Sequence, residues 1–365
     1  MIYKPLGKTG KEISAISFGS MRFKPEEYKK DHQICADILL RAHELGVNYF
    51  DTAPTYCDSQ SEAIVGLALR QIRGKRPYVG TKCALWLAQT ANEAYEQVKK
   101  SRDTLGVDTI DFYYMWCVRT LDEYQQMIRP GGIYDGLVRA QQDGLIEHIC
   151  CSTHLDGGDL KVVVDDGKAD VILLGYNALN FAFRREGVKA CHDAGLGVIV
   201  MNPLSGGLIP QVGEQFGFLK SNPAESVVQA ALRFVIGQPE ISAALPGPSS
   251  IAELEECVSA AERVDTVSEE TLARLGAELK SELNTLCTSC AYCDKCPVGV
   301  PIVKLLEPYN YYLLGTPKEK VVSNIENIWG HTTADARKCI KCGLCEGLCT
   351  QRLPIMERLD VIGSW

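Results

Sequence analysis

Two runs of cysteine toward the C-terminal end have the spacing to hold iron. Cys287, Cys290, Cys293 and Cys296 form C-x2-C-x2-C-x2-C-P, and Cys339, Cys342, Cys345 and Cys349 form C-x2-C-x2-C-x3-C. Thiolates two residues apart grip three irons of a cubane, and the fourth iron takes its thiolate from elsewhere. Where two such clusters lie together, the last Cys of each run ligates the other cluster. The pattern therefore predicts one [4Fe–4S] cluster on Cys287, Cys290, Cys293 and Cys349. It predicts a second on Cys339, Cys342, Cys345 and Cys296, with electrons handled singly. Zinc would also accept thiolates, but structural zinc sites draw close pairs from separate knuckles rather than tight triplets. Disulfides require an oxidising compartment. The first run has two residues before its last Cys where the bacterial pattern has three, and Thr350 follows Cys349 where Pro often stands.

A second set of reactive residues follows short apolar runs. Asp51 and Tyr56 lie in Asp51-Thr-Ala-Pro-Thr-Tyr56, Lys82 ends Gly80-Thr-Lys82, and His154 ends Ser152-Thr153-His154. An acid, a phenol and an ammonium converging on one point would do acid–base chemistry. Lys82 would lower the pKa of Tyr56 by favouring the phenolate, and Asp51 would hold Lys82 charged and in place.

Such convergence needs a scaffold. Residues 1–265 alternate β-rich runs with amphipathic helical stretches. The strand candidates are Ile13–Gly19, Val47–Asp51, Tyr78–Lys82, Ile110–Trp116, Glu147–Ser152, Val171–Tyr176, Gly197–Met201 and Ser242–Leu245. Eight strands with interleaved helices read as an α/β fold, a (β/α)8 TIM barrel, whose active site lies where the strands end. A small hairpin, Ile2–Leu6 and Lys11–Ser14 around Gly7–Gly10, precedes the first strand. Residues 266–286 read as a charged helical connector. Residues 287–365 form a C-terminal, mainly helical ferredoxin-like domain, with helical spacing over Pro301–Tyr312 and Pro317–Trp329. Tyr309, Tyr311 and Tyr312 are read as packing in preference to a cluster shield. The Gly-rich Arg129–Tyr134 reads as a helix break, and Arg184-Arg185 as a helix start in preference to an anion contact.

The segment DTAPTY with Ser61-Glu62, the strand end at Lys82, Tyr176-Asn177, Met201-Asn-Pro-Leu-Ser-Gly-Gly207 and Leu245-Pro-Gly-Pro248 with Glu255-Glu256 resemble the aldo-keto reductase family. The cysteine runs make the likeness one to its iron–sulfur branch, with a C-terminal 4Fe–4S ferredoxin-type domain. The resemblance implies carbonyl reduction with NADP or NAD lying across the barrel mouth. It implies catalytic roles for Asp51, Tyr56 and Lys82, with Tyr56 as general acid/base on a carbonyl or alcohol. It also implies cofactor contacts at Ser152, Thr153, Tyr176, Pro203, Leu204, Ser205, Gly247, Ser249 and Ser250. Trp116 stands where the family carries a His, and an indole donates one hydrogen bond but cannot titrate. His154 is the candidate to polarise the substrate oxygen instead, with a packing role as the alternative. Leu173 stands where the family often presents a Gln to the nicotinamide amide. The loop from Gly247 to Glu253 carries no Arg or Lys for a 2′-phosphate, leaving backbone N–H groups near Ser249 and Ser250.

The chain has 365 residues, 46% apolar, with net charge −8 and pI ≈ 5.4. That balance argues against nucleic acid as a partner. No apolar stretch reaches membrane-spanning length, and MIYKPLGKTGKEIS lacks the apolar core of a secretory signal. Eight of the sixteen cysteines lie outside the runs, which suits a reducing, oxygen-poor cytoplasm. The expected partners are a small-molecule substrate and a ferredoxin or flavoprotein. Three alternatives share the scaffold. One is a nicotinamide-independent enzyme fed through its clusters. Another is a redox-neutral lyase or isomerase with structural clusters, and the last a non-enzymatic electron-transfer subunit. Trp86, Trp116, Tyr134 and Phe181 are candidate pocket aromatics for a ring-bearing or sugar-like ligand, with core packing as the competing use.

Overall fold

A computed structural model describes residues 1–155, 157–272, 286–287, 291–327 and 330–365. An antiparallel hairpin, β1 (Tyr3–Pro5) with β2 (Glu12–Ser14), comes first. Eight parallel strands follow: β3 (Phe18–Gly19), β4 (Tyr49–Asp51), β5 (Tyr78–Cys83), β6 (Ile110–Val118), β7 (Ile146–Thr153), β8 (Val171–Gly175), β9 (Gly197–Met201) and β10 (Ala243–Leu245). They pair in chain order from β3 to β10. The sheet closes through a parallel bridge between Ile16 and Ala244 and a 2.9 Å bond from the Gly19 N–H to the Pro246 carbonyl. This is the (β/α)8 barrel.

The run expected as one strand, Ile13–Gly19, is divided between the hairpin and the barrel. Ser17 Oγ donates to the Ser14 carbonyl at 2.8 Å, and the Ser14 N–H is drawn to Asn48 Oδ1 at 2.7 Å. These side-chain bonds turn the chain between two short strands, a competition that alternation of apolar residues does not reveal. Every residue of β6 is buried, as expected of a parallel strand covered on both faces. Helices start on the caps their sequences offer: Thr90 and Glu93 form a reciprocal capping box before Ala91–Leu105, and Gly106 ends it in the left-handed region. Within Arg129–Tyr134, residues 129–132 break Leu121–Ile128 from Ile133–Gln142.

The chain divides into two compact units, Met1–Leu204 with Phe216–Ser268, and Ser205–Gln215 with Glu269–Trp365. The second is helical, built on Ile302–Leu313, Lys318–Asn327 and Ile355–Gly363 around Leu305, Leu306, Val321, Ile325, Leu359 and Ile362. Most of the expected connector, positions 273–285, and the end of the second expected helix, Ile328 and Trp329, lie outside the described residues. Tyr309 and Tyr312 pack with Trp365 at centroid distances of 5.7 and 5.0 Å, in line with the packing reading. No described helix is long and apolar enough to cross a membrane.

Candidate functional site

Strands β4 and β5 run parallel in register, Asp51 opposite Gly80, so their ends deliver an acid and an amine side by side. Lys82 Nζ donates to Asp51 Oδ1 at 2.5 Å and to the Thr52 carbonyl at 2.6 Å. Its side chain is 1% exposed. Tyr49, two residues before Asp51 on the same face of β4, donates its hydroxyl to Asp51 Oδ2 at 3.1 Å and meets the Tyr114 hydroxyl at 3.0 Å. Gly80 makes room for this network: a Cβ there would lie 2.3 Å from the Tyr49 hydroxyl. Burial pushes the Asp51 carboxyl up and the Lys82 ammonium down, and their mutual attraction opposes both shifts.

Tyr56 joins this pair through its ring. Lys82 Nζ lies 5.1 Å from the ring centroid, within cation–π range. Tyr56 keeps some surface open, yet burial, followed by the Asp51 charge and the neighbouring Cys117 and Cys57, pushes its phenol well above the ordinary value. This corrects the expectation that Lys82 lowers the Tyr56 pKa. The ammonium is committed to Asp51 and Thr52 and faces the ring, so dry surroundings win and Tyr56 stays protonated, ready to give up a proton.

Trp116 meets Tyr56 edge-on at 5.6 Å and Trp86 at 5.1 Å, and Trp86 is 46% exposed. The β6–β7 register slips between Met115 and Val118, a bulge, and Cys117 within it has φ of +63°. A non-glycine residue in the left-handed region at a strand end is strain of the kind found beside functional sites. Two other pocket candidates serve elsewhere. Phe181 packs on Phe234 in the core, and Tyr134 lies under Lys168. Arg184 is buried on the helix Phe181–Asp193 and donates to the Leu155 carbonyl.

His154 follows β7. Its Nε2 is buried, and burial, reinforced by Arg184 and Arg119, pushes its pKa down to about 3. In the folded protein it is therefore neutral. Between about pH 6.5 and 3 the unfolded chain binds a proton there that the folded chain refuses, so stability falls as pH drops through that window. His154→Gln is expected to recover on the order of 1–2 kcal/mol at pH 5 relative to pH 7. Urea midpoints at the two pH values measure this; an unchanged pH difference would show that the ring is solvated.

The candidate cofactor residues are placed as follows. Ser152 and Thr153 are buried at the end of β7, and the Thr153 hydroxyl donates to Val118 and accepts from the Leu155 N–H. Tyr176 is fully buried, with its hydroxyl on Gln238 Oε1 at 2.5 Å. Asn177 holds the Asn202 carbonyl at 3.0 Å, ahead of buried Pro203 and partly exposed Leu204. Ser205 opens the turn Ser205–Gly207 in the second unit. Gly247 lies against Arg22, whose Cγ would be 3.2 Å from an added Cβ. Ser250 caps the helix Ile251–Ser259. Glu253 Oε2 accepts from the Ser249 N–H at 2.7 Å and its hydroxyl at 3.0 Å. The chain's own carboxylate thus occupies the helix start proposed for a phosphate. The Ser-x-x-Glu spacing signals a carboxylate turned back to the helix start; nothing in the sequence pattern signals Arg22.

In the second unit, two small cavities are lined by cysteine. One is bounded by Cys287, Cys293 and Cys349, with Val303, Leu306 and Leu353. The other is bounded by Cys296, Cys339, Cys342 and Cys345, with Ile302 and Leu359. Cys290 lies outside the described residues. The Leu353 N–H points at Cys349 Sγ and the Lys341 N–H at Cys339 Sγ, each at 3.4 Å. Asn310, buried, clamps Cys287 by bonding both its N–H and its carbonyl, at 2.8 and 2.7 Å. The fifteen described cysteines are thiols rather than disulfides. Among the described residues, no three His, Cys, Asp or Glu side chains form a ready-made set for a single metal ion.

Comparison with known proteins agrees with the barrel. The chain is 28% identical over 225 residues to the NADH-specific methylglyoxal reductase of Escherichia coli K12, covering 56% of this chain and 68% of that protein. It is 26% identical to the L-galactose dehydrogenase of Arabidopsis thaliana, covering 77% and 95% respectively. An aldo-keto reductase structure from Bacillus halodurans in its holo form superimposes with a TM-score of 0.64 at 21% identity, over 77% of this chain and 97% of that one. One from Klebsiella pneumoniae in complex with NADPH gives 0.63 at 22%, over 76% and 95%. The profile of the aldo/keto reductase family matches residues 15–277, ending before both cysteine runs, and this chain belongs to that family.

Proposed function

We propose that the protein is an iron–sulfur oxidoreductase that reduces a small-molecule carbonyl, or oxidises the corresponding alcohol, at the barrel mouth. The observation that carries this reading is the buried Lys82–Asp51 pair set against the ring of Tyr56, in a chain of this family. Tyr56, kept protonated by its surroundings, gives its proton to the carbonyl oxygen as negative charge develops there, and takes it back in the reverse direction. Lys82, fixed by Asp51 and Thr52, supplies a positive field beside that oxygen. Trp116 and Trp86 form an apolar wall that orients the substrate and sheds water. A nicotinamide, when bound, supplies the hydride.

The residues fit that cofactor unevenly. Arg22 beside Gly247 offers a cation for its diphosphate, whereas Leu173 gives its amide no polar partner. The Glu253 carboxylate, set where a 2′-phosphate would come, repels NADPH and favours NADH. The likeness to an NADH-specific relative supports the same preference.

Residues 287–365 are proposed as a ferredoxin-type domain holding two [4Fe–4S] clusters, one in each cysteine cavity, in a reducing cytoplasm. The supporting geometry is the grouping of thiols: Cys349 joins Cys287 and Cys293, while Cys296 joins the second run, as exchange of the last cysteines requires. The backbone N–H groups aimed at Cys339 and Cys349 are the kind that stabilise thiolate ligands.

Anaerobic titration of the reconstituted protein tests this reading. About eight irons per chain are expected, with NADH binding more tightly than NADPH and Glu253→Gln narrowing the difference. Binding of neither nucleotide, with reducible clusters present, would replace hydride transfer by one-electron supply through the clusters.

A further inference from the structure

Two phenols, Tyr49 on β4 and Tyr114 on β6, stand behind the Lys82–Asp51 pair. Both are fully buried, in a barrel core built from side chains such as Phe112, Val171, Leu173 and Ile199. Phe at either position would fill nearly the same space, so it is the hydroxyls that need a reason. A buried hydroxyl costs free energy unless it is hydrogen-bonded, and the direction of these bonds is fixed. An ionised carboxylate accepts and cannot donate, so the single phenolic proton of Tyr49 goes to Asp51 Oδ2, at 3.1 Å. The Tyr49 oxygen is then left to accept, which makes Tyr114 the donor across their 3.0 Å contact. Tyr114, Tyr49 and Asp51 thus form one directed chain, in which each bond polarises the next.

The chain ends on Lys82. Asp51 is held from two sides, at Oδ2 by Tyr49 and at Oδ1 by the Lys82 ammonium at 2.5 Å. Lys82 Nζ in turn lies 5.1 Å from the centre of the Tyr56 ring and 5.7 Å from that of Tyr114. Gly80 is the space that permits this. A Cβ there would lie 3.1 Å from Tyr114 Cε2 as well as against the Tyr49 hydroxyl.

We propose that Tyr49 and Tyr114 are positioning residues of the reaction at the barrel mouth: their hydroxyls keep the Asp51 carboxylate turned to Lys82, and so keep the Lys82 charge beside Tyr56. This rests on Tyr56 as the proton donor and is independent of the clusters. Both phenols are fully buried, so they act through Asp51 and Lys82 rather than on the substrate. When Tyr56 gives up its proton, a phenolate is left in dry surroundings. A charge already fixed in place stabilises it without reorganisation. Removing the Tyr49 proton takes a donor from Asp51 Oδ2, and the carboxylate then relaxes away from Lys82.

The test uses the full-length protein, reconstituted without oxygen, in four forms: parent, Tyr49→Phe, Tyr114→Phe and the double variant. Turnover is measured with methylglyoxal, glyceraldehyde and 4-nitrobenzaldehyde, with NADH or NADPH, well below each melting temperature. Tyr49→Phe is expected to lower kcat about tenfold or more, because its bond is to a charged group, and Tyr114→Phe about threefold. KM and nucleotide affinity are expected to stay unchanged. The double variant is expected to be no slower than Tyr49→Phe alone, since Tyr114 acts only through the Tyr49 oxygen; independent effects would multiply. Tyr113→Phe, which removes a buried hydroxyl from the opposite face of β6, is the control and is expected to keep the parent kcat. Tyr114→Phe leaves the Tyr49 bond to Asp51 intact, so it reports even if Tyr49→Phe fails to fold. Full kcat in both single variants, while Tyr56→Phe is inactive, would overturn the positioning role and leave Tyr56 in place. So would a loss confined to KM, or effects that multiply in the double variant. A parent inert toward every carbonyl, or an active Tyr56→Phe, would instead overturn the role of Tyr56, and that of the two phenols with it.

Discussion

Replacing Tyr56 with Phe is expected to lower kcat for carbonyl reduction by roughly 100- to 10,000-fold, the range typical of losing a positioned general acid. KM, cluster content and thermal stability are expected to change little, because the ring survives. The phenyl group keeps its edge-on contact with Trp116 and its place under Lys82, and only the proton is removed. Lys82→Met gives the opposite balance. It leaves Asp51 buried without its cation, and breaking a buried pair by removing one partner costs about 3–5 kcal/mol. Turnover and folding should therefore fall together. Steady-state kinetics alongside thermal melts distinguish the two. If the Phe variant turns over like the parent, Tyr56 is not the acid, and the Lys82–Asp51 pair is structural.

The barrel was legible because its strands are buried on both faces and separated by helices with clear caps. The acid–base trio was legible because Asp51 and Lys82 stand at the ends of such runs and Tyr56 lies in the turn that follows the first of them. The missed features depend on contacts between separate runs. The division of Ile13–Gly19 depends on Asn48, thirty-four residues away from Ser14. Tyr49 and Tyr114 enter the Asp51 network only because Gly80 lets one hydroxyl through. The direction of the Tyr56 shift was misread because sequence places Lys82 nearby without saying which part of Tyr56 it faces. Glu253 was readable from its capping spacing. The bulge at Cys117, which seats Trp116 beside Tyr56, has no sequence signal of its own.

Paired alanine substitutions in the cysteine runs are expected to give the largest change in the second unit. If the last cysteines are exchanged, Cys287 and Cys349 serve one cluster, so Cys287→Ala with Cys349→Ala loses that cluster alone and keeps about half the iron. Cys287→Ala with Cys296→Ala strikes both clusters and loses nearly all of it. Ligation within each run predicts the reverse. Because metal binding contributes directly to folding, the variant stripped of both clusters should also melt the helical unit, read as lost helicity.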